Sequence, residues 1–241
     1  MSKVGIAFAL TLTAVGLAQA ATPDPLQILR AADLTRGGWD SYEVHLVIAN
    51  ETKNRTEEHL FDVLIKGTDR SLVRFMNPRD KGRELLMLGD DMWVFLPNTQ
   101  RPVRITPLQR LVGNASNGDV ARTRYEEDYT PTLIAQEEAG GEMCHVLELV
   151  AKRKAATYQK VHLWVGVASS LPRRADFFLA SGRRYKTATF DEYTSVSGPR
   201  LLVRMTITDL TGAGTKTTMR YSGYTPRELP DKLFNKSTIG R

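Results

Sequence analysis

The spacing of hydrophobic residues changes once along the chain. In residues 23–36 they recur at helical spacing, and Gly37 and Gly38 follow as a stop signal. From Tyr42 onward apolar and polar residues tend to alternate, which is typical of half-buried strands. The pattern therefore predicts one N-terminal amphipathic helix followed by a long run of strands.

Turn residues divide this run into about a dozen strands, with a break every 8 to 12 residues. The predicted strands cover residues 43–48, 58–66, 70–75, 83–88, 92–96, 102–105, 132–138, 143–151, 157–167, 171–179, 183–193, 199–208 and 215–221. Residues 107–112 predict a short helix, and the composition of residues 113–119 predicts a loop. Many short strands with few helices favour a sheet that curls into a barrel or part of one.

Several predicted strands have apolar residues at both even and odd positions, and so on both faces of the sheet. These are residues 85–88, 92–96, 177–179 and 201–203. A sheet with one wet face alternates, so these strands need cover on both sides. One interpretation is that helices near each end supply the cover and leave no cavity. The other is a concave apolar sheet whose lid opens for a lipid chain.

The N-terminus has the pattern of a secretory signal peptide. A basic start at residues 1–3 precedes an apolar stretch at 4–17, and Ala18-Gln19-Ala20 predicts cleavage before Ala21. A buried helix here would leave the cleavage pattern unexplained, and a lipoprotein would carry Cys after the cut. We therefore expect residues 21–241 to form a single soluble domain outside the cytoplasm.

Composition narrows the classes of partner. The net charge of +6 is spread along the chain, and no nucleic-acid-binding signature occurs, so we expect no nucleic-acid partner. Mild peripheral attraction to anionic membrane surfaces and a simply solvated positive surface both fit the charge. With Cys144 as the single cysteine, no internal disulfide forms, and we interpret this residue as small and buried.

The motifs of the common enzyme classes are missing: no GxSxG, HExxH, GxxxxGK[ST] or CxxC occurs. The histidines fall singly on separate predicted strands, at His45, His59, His145 and His162. Residues 126–128 are interpreted as an exposed acidic face. We therefore predict a non-enzymatic protein without a metal site or cofactor; a hydrolase with scattered catalytic residues is a minor alternative.

The central segment carries a recognisable pattern. Residues 75–97 read FMNPRDKGRELLMLGDDMWVFLP, followed by R-x-x-R-I from Arg101. The spacing F-x-x-P, G-x-x-L-L and G-D-x-M-W-x-x-x-P resembles the LolA-like outer-membrane lipoprotein-sorting proteins of Gram-negative bacteria. The resemblance is strong over about 45 residues, and the remaining elements follow in the same order.

This resemblance implies a mainly β (α+β) fold: an incomplete, strongly curved antiparallel β-barrel with helices covering its concave face. It implies a periplasmic protein whose relatives carry the acyl chains of lipoproteins or lipids, or sense envelope stress. The branch that the segment resembles most also implies an inner-membrane exporter of hydrophobic substrates as a partner.

The first hypothesis is therefore a periplasmic carrier that binds a lipid or an acylated lipoprotein in an apolar cavity. The alternative is a regulatory or sensor protein of the same fold that binds a membrane-anchored partner. The predicted lining residues are Leu46, Ile48, Phe61, Val63, Ile65, Leu85, Met87, Trp93 and Phe95. A slip of one residue would exchange the two faces of a strand.

The remaining residues of the motif have physical roles. Gly82 and Gly89 permit tight turns, and Pro78 and Pro97 end strands. Trp93 suits core packing and stacking on a lipid chain equally well. Arg101 and Arg104 are expected either to pair with a carboxylate on a neighbouring strand or to meet an anionic headgroup at the mouth of the cavity.

Overall fold

The computed structural model describes residues 23–241 except 53–54, 98, 100, 123, 197, 212–213, 238 and 240–241. The predicted signal peptide lies outside the described residues. No described helix is long and apolar enough to cross a membrane.

The predicted N-terminal helix is confirmed as α1, Pro25–Asp33. The Asp24 carboxylate caps it by accepting the Leu26 N–H at 3.0 Å. A single 3₁₀ turn, Leu34–Arg36, continues the chain to Gly37. Gly37 has φ of 135°, and a Cβ there would lie 2.2 Å from the Tyr42 ring, so only glycine fits this stop.

The described part of the chain forms fifteen strands. They are β1 Ser41–Glu51, β2 Thr56–Lys66, β3 Arg70–Phe75, β4 Glu84–Leu88, β5 Asp91–Phe95, β6 Val103–Ile105, β7 Arg110–Val112, β8 Ala115–Ser116, β9 Tyr129–Ala139, β10 Glu142–Ala151, β11 Lys160–Gly166, β12 Pro172–Phe178, β13 Arg184–Ser195, β14 Arg200–Asp209 and β15 Lys216–Pro226. Thirteen of them form one antiparallel sheet in the order β6-β5-β4-β3-β2-β1-β15-β14-β13-β12-β11-β10-β9. This sheet is curved but not closed, so it is the incomplete barrel that the resemblance implied.

One face of the sheet, called the inner face, holds the main core. Residues from both halves of the sheet, such as Val63 on β2 and Leu147 on β10, belong to one buried cluster with Leu29 of α1. Strands so far apart in the order share one core because the sheet wraps around it. The concave surface is therefore apolar and covered.

The outer face near β2 to β5 holds a second, smaller core. Leu64, Leu72 and Leu86 pack there with Leu229 and Phe234 of the C-terminal segment. This segment contains the 3₁₀ turn Asp231–Phe234. The runs that are apolar at both even and odd positions, residues 85–88 and 92–96, therefore have cover on both faces.

Residues 106–128, called the cover, cross the inner face. The cover contains the β7–β8 hairpin, α2 Asn117–Ala121 and α3 Tyr125–Asp128. The predicted helix at residues 107–112 is wrong, because a turn leads there into strand β7. The predicted loop at residues 113–119 is largely β8 and α2. Local composition could not reveal either element, since the hairpin tip is held from outside: Asn114 donates its backbone N–H to Thr217 Oγ1 of β15 and its side-chain amide to the Thr215 carbonyl just before β15.

Candidate functional site

Seven of the nine predicted lining residues lie together on the inner face, each no more than 4% exposed. They are Leu46, Ile48, Phe61, Val63, Ile65, Leu85 and Met87. Their shared position follows from strand pairing, since Leu46 lies opposite Phe61 and Val73 opposite Leu85. They form the floor of an apolar trough beneath the cover.

Trp93 and Phe95 are on the outer face, so their assignment to the same face as Leu85 and Met87 is corrected. The two-residue turn Gly89-Asp90 pairs Leu86 with Trp93 and Met87 with Met92. In this register odd-numbered positions of β4 face the same way as even-numbered positions of β5. Met92 and Val94 therefore take the inner positions.

The outer environment of Trp93 matches this register. The ring packs against the smaller core, and the Lys236 ammonium lies 4.6 Å from its centroid. Phe95 belongs to the same outer core. A carrier function assigned to the trough therefore does not involve either ring.

Arg101 and Arg104 are both exposed. Arg104 of β6 lies opposite Trp93 of β5, so Arg104 is on the outer side of the sheet. Its guanidinium pairs with Asp91 of β5. Arg104 thus follows the first of its two predicted roles, pairing with a carboxylate on a neighbouring strand. The turn roles of Gly82 and Gly89 are confirmed by φ values of 82° and 55°.

The centre of the trough is filled by the protein itself. The cavity between Val63, Ile65 and Val120 of the cover has a volume of only about 10 Å³. Two larger cavities, each of about 290 Å³, open on either side of the β7–β8 hairpin. The trough is thus closed at its centre and accessible at two places along the cover.

One cavity, called the mouth pocket, lies between the hairpin and the β3–β6 end of the sheet. It is lined by Phe75, Arg83, Leu85, Val94, Ile105, Gln109, Arg110, Leu111 and Asn117. Its floor continues the inner face, because Leu85 and Phe75 belong to the main core. A ligand that enters here therefore meets the apolar trough directly.

The other cavity, called the latch pocket, lies between the hairpin and β13–β14. It is lined by Leu108, Arg110, Asn114, Ala115, Ser116, Leu179, Tyr185, Lys186, Asp209 and Thr211. Its lining contains more polar groups than that of the mouth pocket. It borders the ion pair that holds the cover in place.

Contacts of Asp119 fasten α2 to the sheet, and we call them the latch. The Asp119 carboxylate accepts hydrogen bonds from Lys186 Nζ at 2.9 Å, Tyr158 OH at 2.7 Å and the Ser116 N–H at 2.8 Å. Its backbone carbonyl accepts one from Arg36 Nη2 at 2.6 Å. All five residues are buried, so the latch is a polar network inside an apolar core.

The electrostatics of the latch favour its charged form. Burial alone would raise the pKa of Asp119, but the Lys186 ammonium and the hydrogen bonds from Ser116 and Tyr158 hold it below its ordinary value. Burial, together with the nearby Asp119 charge, raises the pKa of Tyr158 well above its ordinary value, so the phenol stays protonated and donates. The Asp119 carboxylate is therefore ionised at neutral pH.

Sequence reasoning missed the latch. Lys186 offered one signal, since it lies at the same parity on β13 as the buried Ala188 and Phe190. A lysine at an inner position needs a buried counter-ion. The identity of that counter-ion was not readable, because Asp119 is 67 residues away.

A second polar contact joins the cover to α1. The two Asp33 carboxylate oxygens accept the N–H groups of Tyr125 and Glu126, at 3.0 and 2.8 Å, which start α3. Burial raises the pKa of Asp33 to about 7, although these two backbone donors act to lower it. The charge of this contact therefore changes near neutral pH.

We expect Asp33→Asn to flatten part of the pH dependence of stability. The unfolded chain loses the Asp33 proton near pH 4, whereas the folded protein keeps it to about pH 7. The contribution of this group to the free energy of unfolding is therefore full below pH 4 and is lost as the pH rises to 7. Urea denaturation at several pH values gives the free energy of unfolding of the wild type and of Asp33→Asn. The value for the wild type minus that for the variant should fall steadily from pH 4 to pH 7. A constant difference would contradict the assignment.

Metal-ligating side chains come together at one place among the described residues. Single ligand atoms of Glu43, His45 and Asp62 lie within 4.8 Å of one another on β1 and β2. All three already have partners, since His45 Nδ1 is 2.6 Å from Asp62 and Glu43 accepts from Arg227 at 3.1 Å. This cluster lies on the outer face and does not border the trough.

The curved open sheet with a covered concave face defines the class of fold to which the chain belongs. A family model described as "-like: Uncharacterized protein" matches residues 67–241. A LolA superfamily protein from Nitrosomonas europaea is 34% identical, with a TM-score of 0.84 over 89% of this chain and 98% of that chain. The chain belongs to the LolA superfamily.

Two further solved structures have the same fold at 23% identity. One is a DUF1329 family protein from Desulfovibrio piger, with a TM-score of 0.78 over 90% of this chain and 100% of that chain. The other is an outer membrane lipoprotein-sorting protein domain from Vibrio parahaemolyticus, with a TM-score of 0.77 over 90% of this chain and 98% of that chain. No curated protein matches the chain.

Proposed function

We propose that this protein is a non-enzymatic periplasmic carrier that binds a lipid, or the acyl chains of a lipoprotein, against the inner face of its sheet. It passes this cargo between membranes or to an inner-membrane exporter of hydrophobic substrates. Membership of the LolA superfamily supports a role in lipoprotein sorting or binding. The periplasmic location rests on this membership and on the predicted signal peptide.

The observation that carries the proposal is the apolar trough under a cover held by a small number of polar contacts. The floor consists of aliphatic and aromatic side chains, such as Val63, Leu85 and Phe61. The cover places only short apolar side chains on this floor at α2, Val120 and Ala121. A hydrocarbon chain can replace these contacts with similar ones, so opening the cover does not expose the floor to water once cargo is bound.

The energetics suit reversible carriage. Burying one CH₂ group contributes about 0.8 kcal/mol, so about ten methylenes give micromolar affinity before the entropy of binding is subtracted. The mouth pocket, at about 290 Å³, lies at the lower limit of ligand pockets. This space takes only the end of a chain, so tight binding of a hydrocarbon chain or of an aromatic probe requires the cover to move away from the floor.

A charge in the mouth pocket tests this proposal. We expect Val94→Glu to weaken binding of the neutral fluorescent probe N-phenyl-1-naphthylamine at least tenfold, because it places a carboxylate where an apolar chain would lie. Val150→Glu is the matched control, since Val150 is 47% exposed and lies outside both cavities. Titration of probe fluorescence, with decanol as a competitor, gives the dissociation constants.

The carrier proposal requires that wild type and Val150→Glu bind the probe alike and release it to decanol. Equal binding by Val94→Glu would place the probe elsewhere on the surface. Absence of binding by all three proteins would contradict the proposed function itself.

A further inference from the structure

We infer that the mouth pocket recognises the anionic headgroup of a single-chain amphiphile through Arg83 and Arg110. This inference rests on the proposed carrier function and names the class of its cargo. The chain of the amphiphile would lie on Leu85 and Val94, and its phosphate or carboxylate would meet the two guanidinium groups.

The charge of the mouth pocket is the first argument. Two arginines line it, and no carboxylate is among the described lining residues. Its other polar side chains, Gln109 and Asn117, are neutral and already engaged at Thr106, where Gln109 Oε1 accepts the Thr106 N–H and Asn117 donates to the Thr106 carbonyl. The cavity thus combines an apolar floor with an excess of positive charge at its side.

The environment of Arg83 is the second argument. Its guanidinium carbon lies 4.3 Å from the centroid of Phe75, which is part of the trough floor. Its ion pair with Asp80 is long, at 3.6 Å. The Arg83 Nε–H is buried and has no hydrogen-bond partner among the described residues. A buried donor of this kind is costly unless a ligand accepts its hydrogen bond, and an oxyanion is the acceptor that suits a guanidinium best.

Arg110 supplies the second cation from the cover itself. It lies on β7 and lines both cavities. On the latch side its charge faces Asp209, whose pKa is held low by hydrogen bonds from Thr211 with a further contribution from Arg110. A ligand in the mouth pocket can therefore draw Arg110 toward itself, which links headgroup binding to the position of the hairpin.

The latch pocket does not share this excess of charge. Its Lys186 is neutralised by Asp119 at 2.9 Å, and its lining includes Asp209 beside Arg110. An anion in the latch pocket would therefore meet a carboxylate, and the only cation there not held in an ion pair with Asp119 is Arg110, which the two pockets share. The mouth pocket is therefore the better site for an anion attached to a hydrocarbon chain.

Three ligands distinguish the contributions of the headgroup and of the hydrocarbon chain to binding. They are decyl phosphate below its micellar concentration, decanol, which has the same chain without the charge, and inorganic phosphate, which has the charge without the chain. Isothermal titration calorimetry on the wild type should show decyl phosphate binding at least tenfold more tightly than decanol, and inorganic phosphate binding much more weakly than either. Added salt should weaken binding of decyl phosphate and leave decanol unchanged.

Two variants assign the effect to the named arginines. Arg83→Gln and Arg110→Gln should each weaken decyl phosphate about tenfold with little change for decanol. Arg110 is exposed, so its variant should fold even if Arg83→Gln is destabilised. Arg104→Gln is the matched control, because Arg104 lies on the outer face and pairs with Asp91.

The outcomes are distinguishable. Equal affinity of the wild type for decanol and decyl phosphate would overturn the headgroup site and leave the carrier function standing. Inorganic phosphate binding as tightly as decyl phosphate would overturn the amphiphile and leave a simple anion site. Failure of both chain ligands to bind would overturn the proposed function and the headgroup site together.

Discussion

Replacing Asp119 with alanine is expected to lower the free energy of unfolding by about 3–5 kcal/mol, because it leaves a buried ammonium without a counter-ion. The Lys186 side chain is only 5% exposed. The ammonium also donates a hydrogen bond to the Asn114 carbonyl at 3.1 Å. It lies over the rings of Tyr158, Phe177 and Tyr185, none of which carries a negative charge. Urea denaturation followed by circular dichroism measures the change.

The double variant Asp119→Ala/Lys186→Met is the control. It removes both charges and leaves an apolar side chain of similar length, so much of the lost stability should return. The two single changes should therefore be far from additive. A loss below about 1 kcal/mol in Asp119→Ala, or no recovery in the double variant, would show that the ion pair does not hold the cover.

The same variant has a functional consequence. In the wild type the closed cover competes with a ligand for the trough, so the apparent affinity is reduced by the fraction of open molecules. Weakening the latch should raise that fraction and strengthen binding of N-phenyl-1-naphthylamine, even though the protein is less stable. Loss of stability with tighter binding would distinguish a latch from an ordinary core contact.

Much of the fold was readable from periodicity. The helical spacing of apolar residues before Gly37 predicted α1. The alternation of apolar and polar residues after Tyr42 predicted most of the long strands near their observed bounds. These signals are local, since each element shows its own apolar face in its own residues. The curvature and the helical cover came from the resemblance to the LolA-like proteins, which the family membership confirms.

The errors occurred where a residue is placed by distant partners. Trp93 was wrongly assigned to the inner face. The turn at Gly89-Asp90 places odd positions of β4 on the same face as even positions of β5, and composition does not show this register. Residues 107–119 were assigned from composition, but their structure depends on contacts with β15 and β13. Arg83 and Arg110 were not singled out, because the hairpin that brings them to one pocket was not predicted.

Fixing the cover to the sheet is expected to abolish uptake of hydrophobic ligand. Gly118 of α2 packs closely on Thr157: a Cβ on it would lie 2.9 Å from the Thr157 Cβ and 1.9 Å from its Oγ1. Disulfide bonds need a Cβ–Cβ distance of about 3.8 Å, so a shift of about 1 Å lets Gly118→Cys and Thr157→Cys form one. Thr157 belongs to the connection between β10 and β11, so the bond would tie α2 to the sheet.

The central claim is that cargo replaces the cover on the inner face, and the cross-linked protein tests it most directly. The dissociation constant for N-phenyl-1-naphthylamine should be measured on one preparation of Gly118→Cys/Thr157→Cys/Cys144→Ala, oxidised and then reduced. We expect binding to be at least a hundredfold weaker in the oxidised form and to recover on reduction. Equal affinity of the oxidised and reduced forms would contradict it, because the probe would then bind without any movement of the cover.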